Sequence, residues 1–206
     1  MNPITYLQTT DISLAALIGY VEEKQVESAS NEKLSDYESL VRSIVGQQIS
    51  TFAARSIFER LLQTVSGVIT PETITSLTVA SLRDIGLSRQ KISYIQDMGK
   101  NLIEGSIDLG DLYSMSDEKA ISTLIGLRGI GEWTAQMFVM SQLGREDIFP
   151  IKDAGIRSAM WKLYSLDEVT DEKLIELSCN WSPQRSLACK YLWKALDLGY
   201  FTSKTT

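Results

Sequence analysis

Helix punctuation is the feature that most restricts this chain. Ser, Thr and Asp start signals and Gly stop signals recur so closely that only short helices fit between them. "SDYESLVRSIVG" opens with Ser35 and Glu38 in capping-box spacing and stops at Gly46. "STFAARSIFERLLQTV" sets Phe52, Ile57, Phe58, Leu61, Leu62 and Val65 along a helical face. "TPETITSL" offers Thr70 as N-cap and Pro71 as first helical residue. "SRQKISYIQDMGKNLIEG" runs from Ser88 to a stop at Gly105, and "SDEKAISTLIGL" and "EWTAQMFVMSQLG" follow. Then come "AGIRSAMWKLY", "TDEKLIELSC" and "SPQRSLACKYLWKALDLG", the last with Ser182 and Pro183 at its start. With almost no period-two alternation, these signals predict an all-α protein of roughly nine or ten short helices. A length of 206 residues suits one domain or two packed lobes.

Composition removes several chemistries. The chain contains no histidine, which excludes a His general base, a Ser-His-Asp triad and the usual zinc enzymes. Its two cysteines, Cys179 and Cys189, stand ten residues apart, a spacing that fits neither a zinc site nor an iron–sulfur cluster. A reduced, intracellular protein is expected. The N-terminal stretch lacks a basic segment followed by an apolar one, so no secretory signal is expected. No apolar run approaches membrane-spanning length, and no membrane partner is expected. The net charge of −6, from 26 acids and 20 bases, argues against a broad basic face for nucleic acid. A local site can still be positive on an acidic protein.

Such a site is suggested by "LRGIGEWTAQ" at residues 127–136. Two glycines framing Ile130 predict a tight hairpin between helices, followed by a helix whose first N–H groups have no intrahelical partner. Those groups and the hairpin amides form a positively polarised concavity suited to a phosphate. A plain αα-turn uses the same residues, and the pentapeptide alone does not decide between them. Further on, "LGREDIFPIKDAGIRSAMWKLY" places Asp153 after a Pro-containing loop and immediately before a helix. Asp153 reads either as the N-cap of that helix or as a functional carboxylate, and one residue can be both.

The pieces "IVGQQIS", "LRGIGEWTAQMF", "LGREDIFPIKDAGIR" and "WSPQRSLACKYLW", in this order between residues 44 and 193, resemble the helix-hairpin-helix DNA glycosylase superfamily. Within it they are most similar to the compact alkylpurine (3-methyladenine) glycosylases. The resemblance implies a single two-lobed helix-hairpin-helix domain over residues 1–206, with N- and C-terminal segments forming one lobe around roughly 50–150. It implies base-excision repair: hydrolysis of the N-glycosidic bond of alkylated purines, of the 3-methyladenine and 7-methylguanine class, in duplex DNA after base flipping. Members that also cut the backbone resemble one another in a nucleophilic lysine at the position of Trp133, so a monofunctional enzyme is implied here.

By the same resemblance Asp153 is the catalytic carboxylate, and Trp133 and Trp193 are the base-pocket aromatics, core filling being the alternative for each. Leu127, Gly129, Ile130 and Gly131 form the DNA-binding hairpin. Gln47, Gln48 and Ser50 form the minor-groove wedge, with an ordinary helix N-terminal turn as the alternative. Lys152 and Arg157 are read as phosphate contacts, with Arg185 and Lys91 as weaker ones, and Trp161 and Trp181 as core or lobe-interface residues. The implied cofactor set is none required, no zinc and no iron–sulfur cluster, with K⁺ or Na⁺ on the Leu127 and Ile130 carbonyls. The implied partner is double-stranded DNA carrying alkylated bases or abasic sites, bound by a monomer. The implied setting is nuclear in a eukaryote, and cytoplasmic or nucleoid in a prokaryote. Lys152 departs from relatives, which tend to an acidic or small residue there, and raises a second reading: a catalytically weak protein that binds abasic or damaged sites.

Overall fold

Side-chain caps start most of the helices. Ser35, Ser50, Thr70, Thr78, Ser88, Ser116, Asp153 and Thr170 each accept from the backbone N–H three residues on. Each such bond is worth about 1 kcal/mol and fixes where its helix begins. The computed structural model describes residues 1–24 and 34–202, and no strand occurs among them. The helices are α1 (Pro3–Thr10), α2 (Ile12–Lys24), α3 (Asp36–Gly46), α4 (Thr51–Thr64), α5 (Pro71–Ser76) and α6 (Val79–Asp84). After them come α7 (Arg89–Ile103), a 3₁₀ turn (Gly110–Ser114), α8 (Asp117–Ile125), α9 (Glu132–Ser141), α10 (Ala154–Tyr164), α11 (Asp171–Cys179) and α12 (Arg185–Asp197). By order along the chain there are two compact units, an outer one, Met1–Asn31 with Gly144–Thr206, and an inner one, Glu32–Leu143.

Three helices exceed the sequence expectation. α1 is started by Asn2, whose side chain accepts from Ile4 N–H with Pro3 at the first position. Asp11 serves α2 in the same way through Leu14 N–H. α6 is a short turn capped by Thr78. α12 begins at Arg185 rather than at Pro183, because the Ser182 hydroxyl donates to Asp147 Oδ2 (2.8 Å) instead of capping.

In the inner unit, Leu40, Val41, Ile44 and Val45 of α3 are buried, as are Phe58 and Leu61 of α4, Ile95 and Met98 of α7, and Phe138 and Val139 of α9. Phe52 does not join them. It lies nine residues before Leu61, about half a turn away at ~100° per residue, and is 82% exposed.

The outer unit packs α2, α10 and α12 together, with α1 against α2 and α12. Trp181 is fully buried there, whereas Trp161 is 48% exposed and is not core. Asp11 links its elements: Oδ1 caps α2, while Oδ2 accepts from Trp181 Nε1 (2.9 Å) and from the Tyr164 hydroxyl. The segment leading to Asp153 is tied to α12. Arg185 grips Asp147 with two bonds (2.7 and 2.9 Å), and Ser186 Oγ accepts from Ile148 N–H and donates to Arg145 O. Burial alone would raise the Asp147 carboxyl, but the Arg185 fork and the Ser182 hydroxyl outweigh it and hold it below its usual range.

Removing the Asp11 carboxylate orphans the donor of a buried tryptophan together with a tyrosine hydroxyl. Asp11→Ala is therefore expected to lose about 2–3 kcal/mol of stability in urea unfolding, several times the effect of an exposed charge such as Glu23→Ala.

Candidate functional site

The inner unit holds a hairpin whose two glycines have different causes. α8 ends at Ile125 and α9 starts at Glu132. Between them Ile130 N–H donates to Leu127 O (3.1 Å), and the side chains of Leu127 and Ile130 are buried as anchors. Gly129 has φ +89°, and a Cβ there would sit 2.3 Å from the Tyr94 ring, so both backbone and packing demand glycine. Gly131 has φ −89°, and a Cβ there would meet nothing within 4 Å. Nothing inside the protein requires glycine at 131. Gly131 caps α9 without a side chain, and the first turn of that helix carries the exposed Glu132 and Trp133. Partial positive charge at a helix N-terminus with close approach available suits an anion.

A second loop is fastened to this hairpin. Gln47 Nε2 donates to Gly129 O (2.8 Å), and Lys91 Nζ donates to Val45 O (2.8 Å) and Gln47 O (2.7 Å). Burial pulls the Lys91 ammonium below its usual value, and the two carbonyls receive it. Lys91 is thus a loop clamp and not a phosphate contact. Gln48, held between clamp and helix α4, has φ +59°, a left-handed conformation that costs a non-glycine residue free energy, and it is exposed. Ser50 caps α4, its hydroxyl accepting from Ala53 N–H. The expected wedge therefore combines one internal tether, Gln47, one presented side chain, Gln48, and one cap, Ser50. Trp133, in the first turn of α9, is 48% exposed, which removes the core-filling alternative for it.

The outer unit holds Asp153. Its Oδ1 accepts from Ile156 N–H (2.8 Å) and from the Trp193 indole N–H (2.9 Å). At 9% exposure it is the most accessible of the buried polar residues, the others being Thr134, Ser178 and Ser186. Gly155 permits the arrangement: a Cβ there would lie 3.1 Å from Asp153 Oδ1 and 3.2 Å from the Trp193 ring. Trp193, expected as a pocket wall, orients the carboxylate.

The bases expected to meet phosphate are engaged elsewhere. Lys152 pairs with Asp171. Arg157 donates to Asp171 (2.6 Å), Ile151 O and Val169 O. These two cations hold the Asp171 carboxyl below its usual range. Arg185 is committed to Asp147. In the inner unit Arg128 pairs with Asp97 and lies over the Tyr94 ring. Each partner is a carboxylate distant in sequence, which spacing does not reveal. Tyr94 and Gly155 were likewise absent from the expected site. Gly155 left a signal, since a glycine in the first turn of a helix marks close approach; Tyr94 left none.

The profile of a family described as "HhH-GPD superfamily base excision DNA repair protein" matches residues 41–184. YfjP of Bacillus subtilis (strain 168) is 33% identical over 171 residues, 79% of this chain, and the chain spans 60% of that relative's length. The crystal structure of a DNA-3-methyladenine glycosidase from Bacillus halodurans superposes with TM-score 0.83 at 33% identity, covering 99% of this chain and 92% of that one. The Schizosaccharomyces pombe 3-methyladenine DNA glycosylase Mag1, solved with abasic DNA, gives TM-score 0.82 at 29% identity over 96% of this chain and 97% of that one.

The two hairpin glycines can be separated by substitution. Gly129→Ala should cost more than about 2 kcal/mol in urea unfolding, because φ and the Tyr94 ring both forbid a Cβ. Gly131→Ala should stay within about 1 kcal/mol of wild type yet weaken duplex DNA binding in a filter or anisotropy titration.

Proposed function

Because the chain belongs to the HhH-GPD superfamily of base excision DNA repair proteins, we propose that it is a monofunctional DNA glycosylase acting as a monomer on alkylated purines in duplex DNA. The observation that carries the reading is Asp153, a carboxylate whose Oδ1 is fixed by a backbone N–H and the Trp193 indole N–H. The hairpin receives a phosphate on the open amides around Gly131, and Gln48 fills the gap left by the extruded nucleotide. The bond from C1′ to the base nitrogen breaks, the electron pair leaves with the base, and water adds at C1′ with its proton released. An alkylated purine already carries positive charge and departs neutral, so a chain without histidine needs no general acid of that kind. The sugar becomes cationic as the base departs. A carboxylate about 4 Å away contributes ~4 kcal/mol at an effective dielectric near 20, roughly a thousandfold in rate. Contact of the cationic base with an indole face, such as that of Trp133 or Trp193, adds about 0.5–2 kcal/mol. Trp133 has no amine, so no Schiff base forms at that position.

A monovalent cation, K⁺ or Na⁺, on the Leu127 and Ile130 carbonyls belongs to the same proposal. Neutral carbonyl oxygens suit such an ion, and the bond from Ile130 N–H uses one of the two lone pairs of Leu127 O. Held on those two carbonyls, the ion would supply fixed positive charge at the hairpin.

Two measurements test the reading. Wild type should release methylated purines from treated duplex DNA, and Asp153→Asn should lower release about a thousandfold while keeping affinity for an abasic duplex. Tight abasic binding with no release by wild type supports the binding-protein alternative instead. Because Arg128, Lys152, Arg157 and Arg185 are paired within the protein, the logarithmic salt dependence of binding should correspond to only a few phosphates. A slope as steep as that of a strongly basic repressor contradicts a grip made chiefly by backbone dipoles.

A further inference from the structure

Beside the wedge loop stands an apolar surface that the proposed reaction does not use. Phe52 is 82% exposed and Ile49 38% exposed, the former among the most exposed large apolar residues of the chain. Phe52 is the second residue of α4, and side chains on a helix lean toward its N-terminus, so its exposed ring stands beside the turn formed by Gln48, Ile49 and Ser50. The loop beneath it is not slack. Lys91 and Gln47 tie it to α7 and to the Gly129 carbonyl, and Gln48 is held at φ +59°. Ile49 and Phe52 are thus presented on a fastened platform continuous with the hairpin.

The surroundings indicate what covers this ring. The first turn of α4 carries no acidic residue, and its neighbours Ser50 and Thr51 are exposed hydroxyls. An apolar ring beside a helix N-terminus free of carboxylates suits a partner with apolar walls and anionic rims. The minor groove of duplex DNA is such a partner, lined by deoxyribose edges and flanked by phosphates, and apolar side chains enter it where base steps open. We propose that Phe52, supported by Ile49, is a second, apolar insertion element of the DNA interface, seated in the minor groove beside the position filled by Gln48. Gln48 bonds the orphaned base; Phe52 holds the adjacent step open by stacking and by covering sugar. This rests on the proposed function, because it takes the bound duplex from that reading.

The test uses the full chain and a duplex carrying a tetrahydrofuran abasic analogue, with 2-aminopurine at the neighbouring step. Phe52→Ser should weaken binding about tenfold, mainly through faster dissociation, with unchanged salt slope and unchanged melting temperature. Phe52→Leu should restore most of the affinity but not the stacking change in 2-aminopurine fluorescence. Equal affinity and fluorescence for wild type and Phe52→Ser overturn the inference, as does a loss that tracks a lowered melting temperature. If wild type itself fails to bind the abasic duplex, the proposed function falls first, and that outcome is distinguishable from a silent Phe52.

Discussion

One carboxylate oxygen with two N–H donors is the constraint on which the outer unit turns. Asp153 Oδ1 receives the Ile156 amide from its own helix and the Trp193 indole from α12. The first bond makes Asp153 a helix cap, and the second fixes how the carboxyl group is rotated. Gly155 keeps space for both. The same helix α12 also secures the approach to Asp153, since Arg185 and Ser186 hold residues 145–148. Anchor and orienter therefore share one rigid element, so the carboxylate cannot shift independently of the residue that aims it.

In the inner unit the corresponding constraint is steric. Tyr94 occupies the space a side chain at 129 would need, and the Gly129 carbonyl in turn receives Gln47. Hairpin and wedge loop are thereby parts of one hydrogen-bonded assembly, with Lys91 closing its far side. The charge of the chain fits this design. Its net −6 is tolerable for a nucleic-acid protein if helix termini and hairpin amides do the gripping, and Arg128, Arg185, Lys152 and Arg157 are already paired with Asp97, Asp147 and Asp171.

Much of this was legible in one dimension because its causes are local. Caps such as Thr70, Ser88 and Asp153 act on the N–H three residues away, and the pair of glycines at 129 and 131 marks a hairpin without any knowledge of the rest. Asn2 with Pro3, and Asp11, carry the same kind of signal for α1 and α2. What spacing could not give was the destination of long side chains. Arg185 meets Asp147, 38 residues away, and Lys152 meets Asp171 rather than its neighbour. Lys91 reaches back 46 residues to Val45. Phe52 was misplaced for another reason: an apolar residue was counted with a face from which its helical angle excludes it.

The central claim is that Trp193 aims the carboxylate. Trp193→Phe keeps a large apolar ring but removes the N–H donor, and single-turnover release of a methylated purine from duplex DNA reads the consequence. The account predicts a rate about ten- to a hundredfold lower, with affinity for abasic DNA unchanged. A rate equal to that of wild type would contradict it.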